Sequence, residues 1–183
     1  MKRYFYLLLF VAALPGLQGC ASTLTKGADR RTEGTYIEDG TIADTATDRI
    51  KKKYADKVHV NVNSYNRKVL VTGEVPDEAV KTDITRIVGG VQNVTDINNE
   101  LVIGPLSSLA ARSTDTLTTS NVMFRLRDSG KDFFRADRVV VVTEHDTVYL
   151  LGLVTHAEAD VAKDIASTSR GAKKVVPLFE YID

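Results

Sequence analysis

The chain has 183 residues, room for one ordinary domain or two very small ones, and its 43% apolar and 26% charged content excludes wholesale disorder. Twenty-four basic and twenty-four acidic residues leave no net charge, so the bulk balance offers no field for duplex nucleic acid, and no nucleic-acid partner is expected. One cysteine excludes an internal disulfide, and with only three scattered histidines there is little material for a soft-metal site.

Lys2 and Arg3 precede an apolar stretch over residues 4–14 that Pro15 and Gly16 close, the pattern of an export signal and too short to span a bilayer. Leu17-Gln18-Gly19-Cys20 follows. This resembles the lipobox of bacterial lipoproteins, which implies cleavage after residues 1–19 and a covalent N-acyl diacylglycerol on Cys20, with no other cofactor. Three acyl chains exceed the two anchoring signals that suffice for stable attachment. Losing Lys2 and Arg3 leaves 22 basic against 24 acidic residues, a mature protein near −2. Ala21 stands where an aspartate would, in enterobacterial lipoproteins, favour inner-membrane retention, so the expected location is the periplasmic face of an outer membrane. Residues 20–40 hold few large apolar groups and read as an acylated N-terminus and flexible tether, with Tyr36 and Ile37, together with Ile42, as docking points.

Beyond the tether the sequence repeats itself. Val69-Leu70-Val71-Thr72-Gly73-Glu74-Val75 recurs 79 residues later as Val148-Tyr149-Leu150-Leu151-Gly152-Leu153-Val154; an offset of 81 then pairs Gly90 with Gly171 and Val94 with Val175. Ahead of the strands an offset of 72 pairs Ile50 with Val122 and Tyr54 with Leu126. In the first copy, Ile42, Ala46, Ile50 and Tyr54 predict an amphipathic helix over 41–56. Val58, Val60 and Val62 alternate as a strand, residues 65–68 turn, and 69–75 pairs back as a hairpin. Pro76 and Asp77 open a helix to about residue 88, with Asp77 its cap; Gly89-Gly90 ends it, and 94–103 supplies a third strand. The second copy predicts a helix over 116–128, strands at 138–143 and 148–154, a helix over 157–167 and a strand near 175–182, with Pro177 marking an edge or bulge. The expected domains are 41–104 and 113–183, joined by a linker over 105–112.

This order of elements, with the V-x-L-x-G-x-V strand and the G-x-x-x-V approach to the third strand, resembles the BON domain. Two copies behind a lipobox cover essentially all of the mature chain. The resemblance implies an α+β fold of two tandem BON domains, each helix-strand-strand-helix-strand with two helices on one face of a three-stranded mixed sheet. It also implies a non-enzymatic envelope protein that supports outer-membrane integrity and contacts phospholipid. Relatives are connected with division sites and with outer-membrane protein assembly. Ala172, following Gly171 where Val91 follows Gly90, departs from the family pattern.

No catalytic constellation appears: there is no G-x-S-x-G, and the one thiol is assigned to acylation. His59 alternates with strand valines and so is expected to face solvent, His145 lies in the Glu144-His145-Asp146-Thr147 turn, and His156 precedes a helix; none has ligand spacing, and no metal is expected. Gly73 and Gly152 inside strands, and Gly90 and Gly171 after helices, are given structural roles: close approach of a helix to the sheet, and helix termination.

The duplication supplies an internal control. Leu117 and Phe124, seven residues apart, lie on one line of the helix opposite its core face, where the first copy has Thr45 and Lys52. Arg125 and Arg127 flank this stripe, and Lys131, Phe133, Phe134, Arg135 and Arg138 follow it. Apolar side chains with basic neighbours suit an anionic lipid interface, which makes Leu117, Phe124, Arg125 and Arg127 the candidate phospholipid-binding residues. Phe133 and Phe134 are expected in the core. The competing reading is a protein-binding adaptor for outer-membrane assembly or quality control that works through exposed sheet faces and edges.

Overall fold

In a computed structural model, residues 29–183 are described; the leader and Cys20 lie outside them. Thr32 opens the first helix by accepting a hydrogen bond from the Thr35 amide. That helix, α1, runs Glu33–Tyr54. It therefore begins eight residues before the expected start, and residues 33–40 of the supposed tether are its first turns: a cap and polar first-turn residues start a helix where no apolar stripe announces one. Of the expected docking residues, Ile42 is buried while Tyr36 and Ile37 remain exposed. Next come β1 (His59–Tyr65), β2 (Lys68–Val75) and α2 (Glu78–Gly89), which Asp77 caps by accepting from the Val80 amide. The third strand is split into β3 (Asp96–Asn99) and β4 (Val102–Ile103) around the buried Leu101, whose amide donates to the Asn99 side chain.

The second copy repeats the plan with α3 (Leu109–Arg127), β5 (Val140–Glu144), β6 (Thr147–Val154), α4 (His156–Ser167) and β7 (Lys174–Tyr181). Ser108 caps α3, so this helix too starts early, inside the expected linker. In each copy a hairpin pairs antiparallel and the last strand adds parallel to its second member, giving mixed sheets β1-β2-β3 and β5-β6-β7. Pro177 sits within β7 opposite Leu150 without interrupting the strand, and β7 is an edge.

One face of each sheet packs on its own two helices. Ile42, Ala46, Ile50, Val69, Val71, Ile84 and Val88 form the first core, and Val122, Leu126, Val148, Leu150, Ala159 and Ala162 belong to the second. A third cluster joins the copies: Tyr65 and Leu70 pack with Tyr149 and Leu151, and with Val140, Val142 and Leu178 at its margin. The other faces of the two sheets are thus buried against each other, with the helices outside.

Equivalent buried acids fix each hairpin to its helix. Asp39 accepts from the Asn66 and Arg67 amides at 2.8 and 2.7 Å, and Asp115 accepts from the His145 and Asp146 amides at 3.1 and 3.0 Å. All four turn residues have positive φ, as a two-residue hairpin turn of mirror-image type requires. These contacts set the true helix register between the copies. Asp39, Ile42, Ala46 and Ile50 correspond to Asp115, Thr118, Val122 and Leu126, an offset of 76, one helical turn from the 72 inferred above.

The strand glycines serve a different neighbour from the one expected. A Cβ on Gly73 would stand 2.0 Å from the His59 carbonyl oxygen, and one on Gly152 would stand 2.5 Å from that of Arg138. Each glycine therefore admits the backbone that leads the partner strand, not a helix. Gly171 does face a helix: its φ is +94°, and a Cβ would lie 2.1 Å from Thr118 Oγ1 of α3. Gly90 caps α2 at an ordinary negative φ.

Gly152→Val should force β5 and β6 apart and cost about 1 to 3 kcal/mol. Since β6 also carries the Tyr149 and Leu151 cluster, amide exchange should accelerate in both copies together; unchanged protection in the first copy would show that the sheet-to-sheet contact contributes no cooperativity.

Candidate functional site

The outward surface of α3 carries three large apolar side chains among exposed Ser113, Thr116 and Ser120. Leu109, Leu117 and Phe124 are 79%, 70% and 67% exposed, and at 100° per residue they fall within about 80° of one another, opposite Thr118, Val122 and Leu126. From Leu109 to Phe124 the stripe extends about 22 Å. At the corrected offset, Leu117 and Phe124 match Thr41 and Asp48, both exposed. The fold does not need apolar side chains there. Leu109 was missed because the helix was expected to begin at residue 116, and the cap residue Ser108 was the signal that could have extended it. Phe134 is buried, as expected, but Phe133 is exposed beyond the end of α3 and adds apolar surface to the loop.

The basic residues divide into structural and available ones. Arg125 donates to the carbonyl oxygen of Ile165 at 2.9 Å and to Ser169 Oγ at 2.7 Å, tying α3 to the end of α4. Its counterpart Arg49 does the same for the first copy, donating to the Gly90 carbonyl oxygen at 2.8 Å. Arg125 is therefore a packing residue, which corrects its assignment to the lipid-binding set. Arg135 pairs with Asp137 at 3.3 Å, and Arg138 pairs with Glu158. Arg127 and Lys131 are exposed and make no ion pair among the described residues. Asp128 and Asp132 interleave with them, so the apolar stripe, not a basic field, distinguishes this face.

Glu158 is the electrostatic centre of the junction between the copies. It is the N3 residue of α4, completing a capping box with Thr155, and it is buried. Arg30, which precedes α1, donates to its two oxygens at 2.6 and 3.1 Å and to the Leu153 carbonyl oxygen at 2.9 Å. Burial alone would raise the Glu158 pKa, but Arg30, the Thr155 amide and Arg138 outweigh it and hold the carboxyl down at about 2. A depressed carboxylate contributes stability that is fully present above the unfolded value near 4.5 and is lost as pH falls toward 2. Unfolding free energy should therefore drop by on the order of 2 to 3 kcal/mol across that window from this group; Glu158→Gln should flatten the pH dependence there in denaturant melts and lower stability at pH 7.

The histidines are not all solvated. His59 Nδ1 lies 3.1 Å from Glu74 Oε2 and 3.8 Å from Glu144 Oε1, and His145 Nε2 lies 2.6 Å from Glu74 Oε1. The expectation failed because β1 faces another sheet instead of water, and because the turn residue Glu144 is buried by the opposing copy. His156 fits the expectation better: it is exposed, stacked on Tyr181 and paired with Asp183. The face-to-face sheets also remove the exposed sheet faces on which the adaptor reading relied, leaving it the edges.

Two helix-on-sheet units in tandem are also found in known proteins. The BON domain matches twice, at residues 38–105 and 114–183. The chain belongs to the BON domain family. A Haemophilus influenzae protein, the outer membrane lipoprotein DolP, is 36% identical over 187 residues, covering 97% of this chain and 96% of the relative. The 21 kDa hemolysin of Actinobacillus pleuropneumoniae is 28% identical, covering 86% of this chain and 81% of the relative, and the osmotically-inducible protein Y of Escherichia coli K12 is 26% identical, covering 85% and 81%. Among solved structures, CdsD, a structural protein of the type III secretion system of Chlamydia trachomatis, matches with a TM-score of 0.28 at 16% identity, covering 80% of this chain and 92% of that one, and carries no functional argument. The tandem BON domains thus bear out the α+β architecture expected from the repeat. Among the described residues no helix is long and apolar enough to cross a membrane.

Proposed function

We propose that this protein is a non-enzymatic, lipid-anchored lipoprotein on the periplasmic face of the outer membrane. In this reading it supports envelope integrity by resting the outward face of α3 on phospholipid. The observation that carries the reading is the exposed Leu109-Leu117-Phe124 stripe, which the first copy replaces with polar residues at the matching positions 33, 41 and 48. Similarity to the outer membrane lipoprotein DolP supports the location, and the Leu17-Gln18-Gly19-Cys20 box supports the anchor. With the acyl chains holding the protein at the bilayer, the helix need supply only reversible contact. Arg127 and Lys131 add attraction to anionic headgroups at the C-terminal end of the stripe. Connections to division sites or to outer-membrane protein assembly would follow from where such lipid is found.

Two measurements test the reading. Metabolic palmitate should label the protein, and Cys20→Ala should abolish both the label and membrane retention; an unlabelled wild type removes the anchor. For the helix, each apolar side chain contributes up to about 1.5 to 3 kcal/mol on full burial, so Leu117→Thr with Phe124→Lys should weaken sedimentation with anionic liposomes by roughly tenfold or more. The new lysine by itself should strengthen attraction by about 1 kcal/mol, which makes weaker binding attributable to lost apolar contact. An unchanged thermal midpoint is expected with it. Unchanged binding in that variant would take α3 out of the mechanism.

A further inference from the structure

We infer that the seam between the two BON domains holds a transition-metal cation of the zinc type, ligated by His59 and Glu74 from the first domain and Glu144 from the second. The ligating atoms of His59, Glu74 and Glu144 lie within 4.8 Å of one another. His59 Nδ1 stands 3.1 Å from Glu74 Oε2 and 3.8 Å from Glu144 Oε1, on either side of the roughly 3.3 Å that separates two ligands of a tetrahedral zinc ion with bonds of about 2.0 Å. One imidazole and two carboxylates are a donor set that zinc accepts with one position left open.

Charge and hydrogen bonding point the same way. Glu74 and Glu144 are 1% and 4% exposed, and neither makes an ion pair with a lysine or arginine among the described residues. The buried acids Asp39 and Glu158 both do, while Asp115 is held by two backbone amides instead. Two carboxylates taken out of water need positive charge nearby; the imidazoles of His59 and His145 are the groups in direct range, and Arg112 stands one hydrogen bond further out on Ser107. Glu74 Oε1 is buried and accepts no hydrogen bond; His145 Nε2 approaches it at 2.6 Å without hydrogen-bond alignment. The Glu74 carboxylate therefore keeps bonding capacity that no hydrogen bond uses, with His145 beside it as an outer neighbour.

The outer contacts orient the donors. Glu144 Oε2 accepts from Asn61 Nδ2 at 2.7 Å, leaving Oε1 turned toward His59. Ser107 Oγ reaches Glu74 Oε2 at 3.2 Å and is itself held by Arg112 Nε at 3.0 Å. Such outer hydrogen bonds fix ligand direction in metal sites. A groove of about 620 Å³, lined in part by His59, Asn61, Arg112 and Glu144, leads to the cluster and supplies a route for the ion.

The duplication again provides the control. The interface is nearly two-fold: the offset of 79 that relates the hairpins maps Glu74 onto Leu153 and Glu144 onto Tyr65. Tyr65 and Leu153 also meet across the seam, the Leu153 amide approaching Tyr65 Oη at 3.4 Å. Tyr65 and Leu153 take these two positions at one end, where the neighbouring buried acid Glu158 is neutralised by Arg30 and Arg138, whereas at the equivalent end Glu74 and Glu144 stand with two histidines. Packing two BON domains together does not require acids at these two positions.

Titration of zinc chloride into the full chain in detergent, followed by calorimetry and thermal melting, tests the inference. One ion per chain should bind and raise the melting midpoint. His59→Gln and Glu144→Gln should each weaken binding at least tenfold, while His156→Gln, at the exposed pair with Asp183, should leave it intact. Cobalt(II) should give the visible bands of a tetrahedral site in the wild type and lose them in His59→Gln. Should either variant lose its native circular dichroism, Glu74→Gln replaces it with the same expected loss. No stoichiometric binding by the wild type, binding that survives these ligand substitutions, or binding that follows His156 would overturn the inference.

Discussion

The arrangement of this molecule depends on one contact, the burial of the two sheets against each other. Each BON domain covers one sheet face with its own helices and would leave the other in water. Tyr65, Leu70, Tyr149 and Leu151 close that second face, so β2 and β6 are buried on both sides. With about 65 to 70 residues a domain of this size has a marginal core; sharing a third cluster lets each stabilise the other. The helices are pushed to the outside as a result, which is why an apolar stripe on α3 meets solvent instead of the neighbouring domain.

Much of this was legible in the sequence, and the failures have physical causes. The repeat, the hairpins, the Asp77 cap and the edge position of Pro177 follow from local rules of pleat, turn and capping. The helix starts at Glu33 and Leu109 were missed because they are specified by the caps Thr32 and Ser108 and their first turns largely face solvent, where no buried apolar stripe marks them. The register error of one turn arose because a stripe with an apolar residue at every fourth position matches itself when shifted by four; only the side-chain contacts of Asp39 and Asp115 break that degeneracy. Face-to-face packing did leave a trace: Val148-Tyr149-Leu150-Leu151 does not alternate, and unbroken apolar runs belong to strands buried on both faces. The polar cluster could not be read, because its four side chains come from two hairpins that only the assembled seam brings together.

Duplication followed by divergence makes each departure from symmetry informative. Where the copies agree, as in Asp39 with Asp115, Arg49 with Arg125 and Gly73 with Gly152, the residue serves the fold. Where they disagree at equal exposure, as in Asp48 with Phe124, or at equal burial, as in Tyr65 with Glu144, the fold is indifferent and another demand has acted. By this criterion Arg125 belongs to the scaffold, and Leu117 to a surface that the scaffold does not account for.

The short segment before α1 has a mechanical meaning. Arg30 grips Glu158 and the Leu153 carbonyl of the second domain, while its neighbour Arg31 lies over the Tyr65 ring at 4.0 Å and binds Asp39 of the first. Consecutive residues therefore fasten the chain to both domains before the first helix begins. A pull arriving along the backbone from the direction of Cys20 is divided between the domains at that point, loading the pair as a single body instead of peeling the first away from the second.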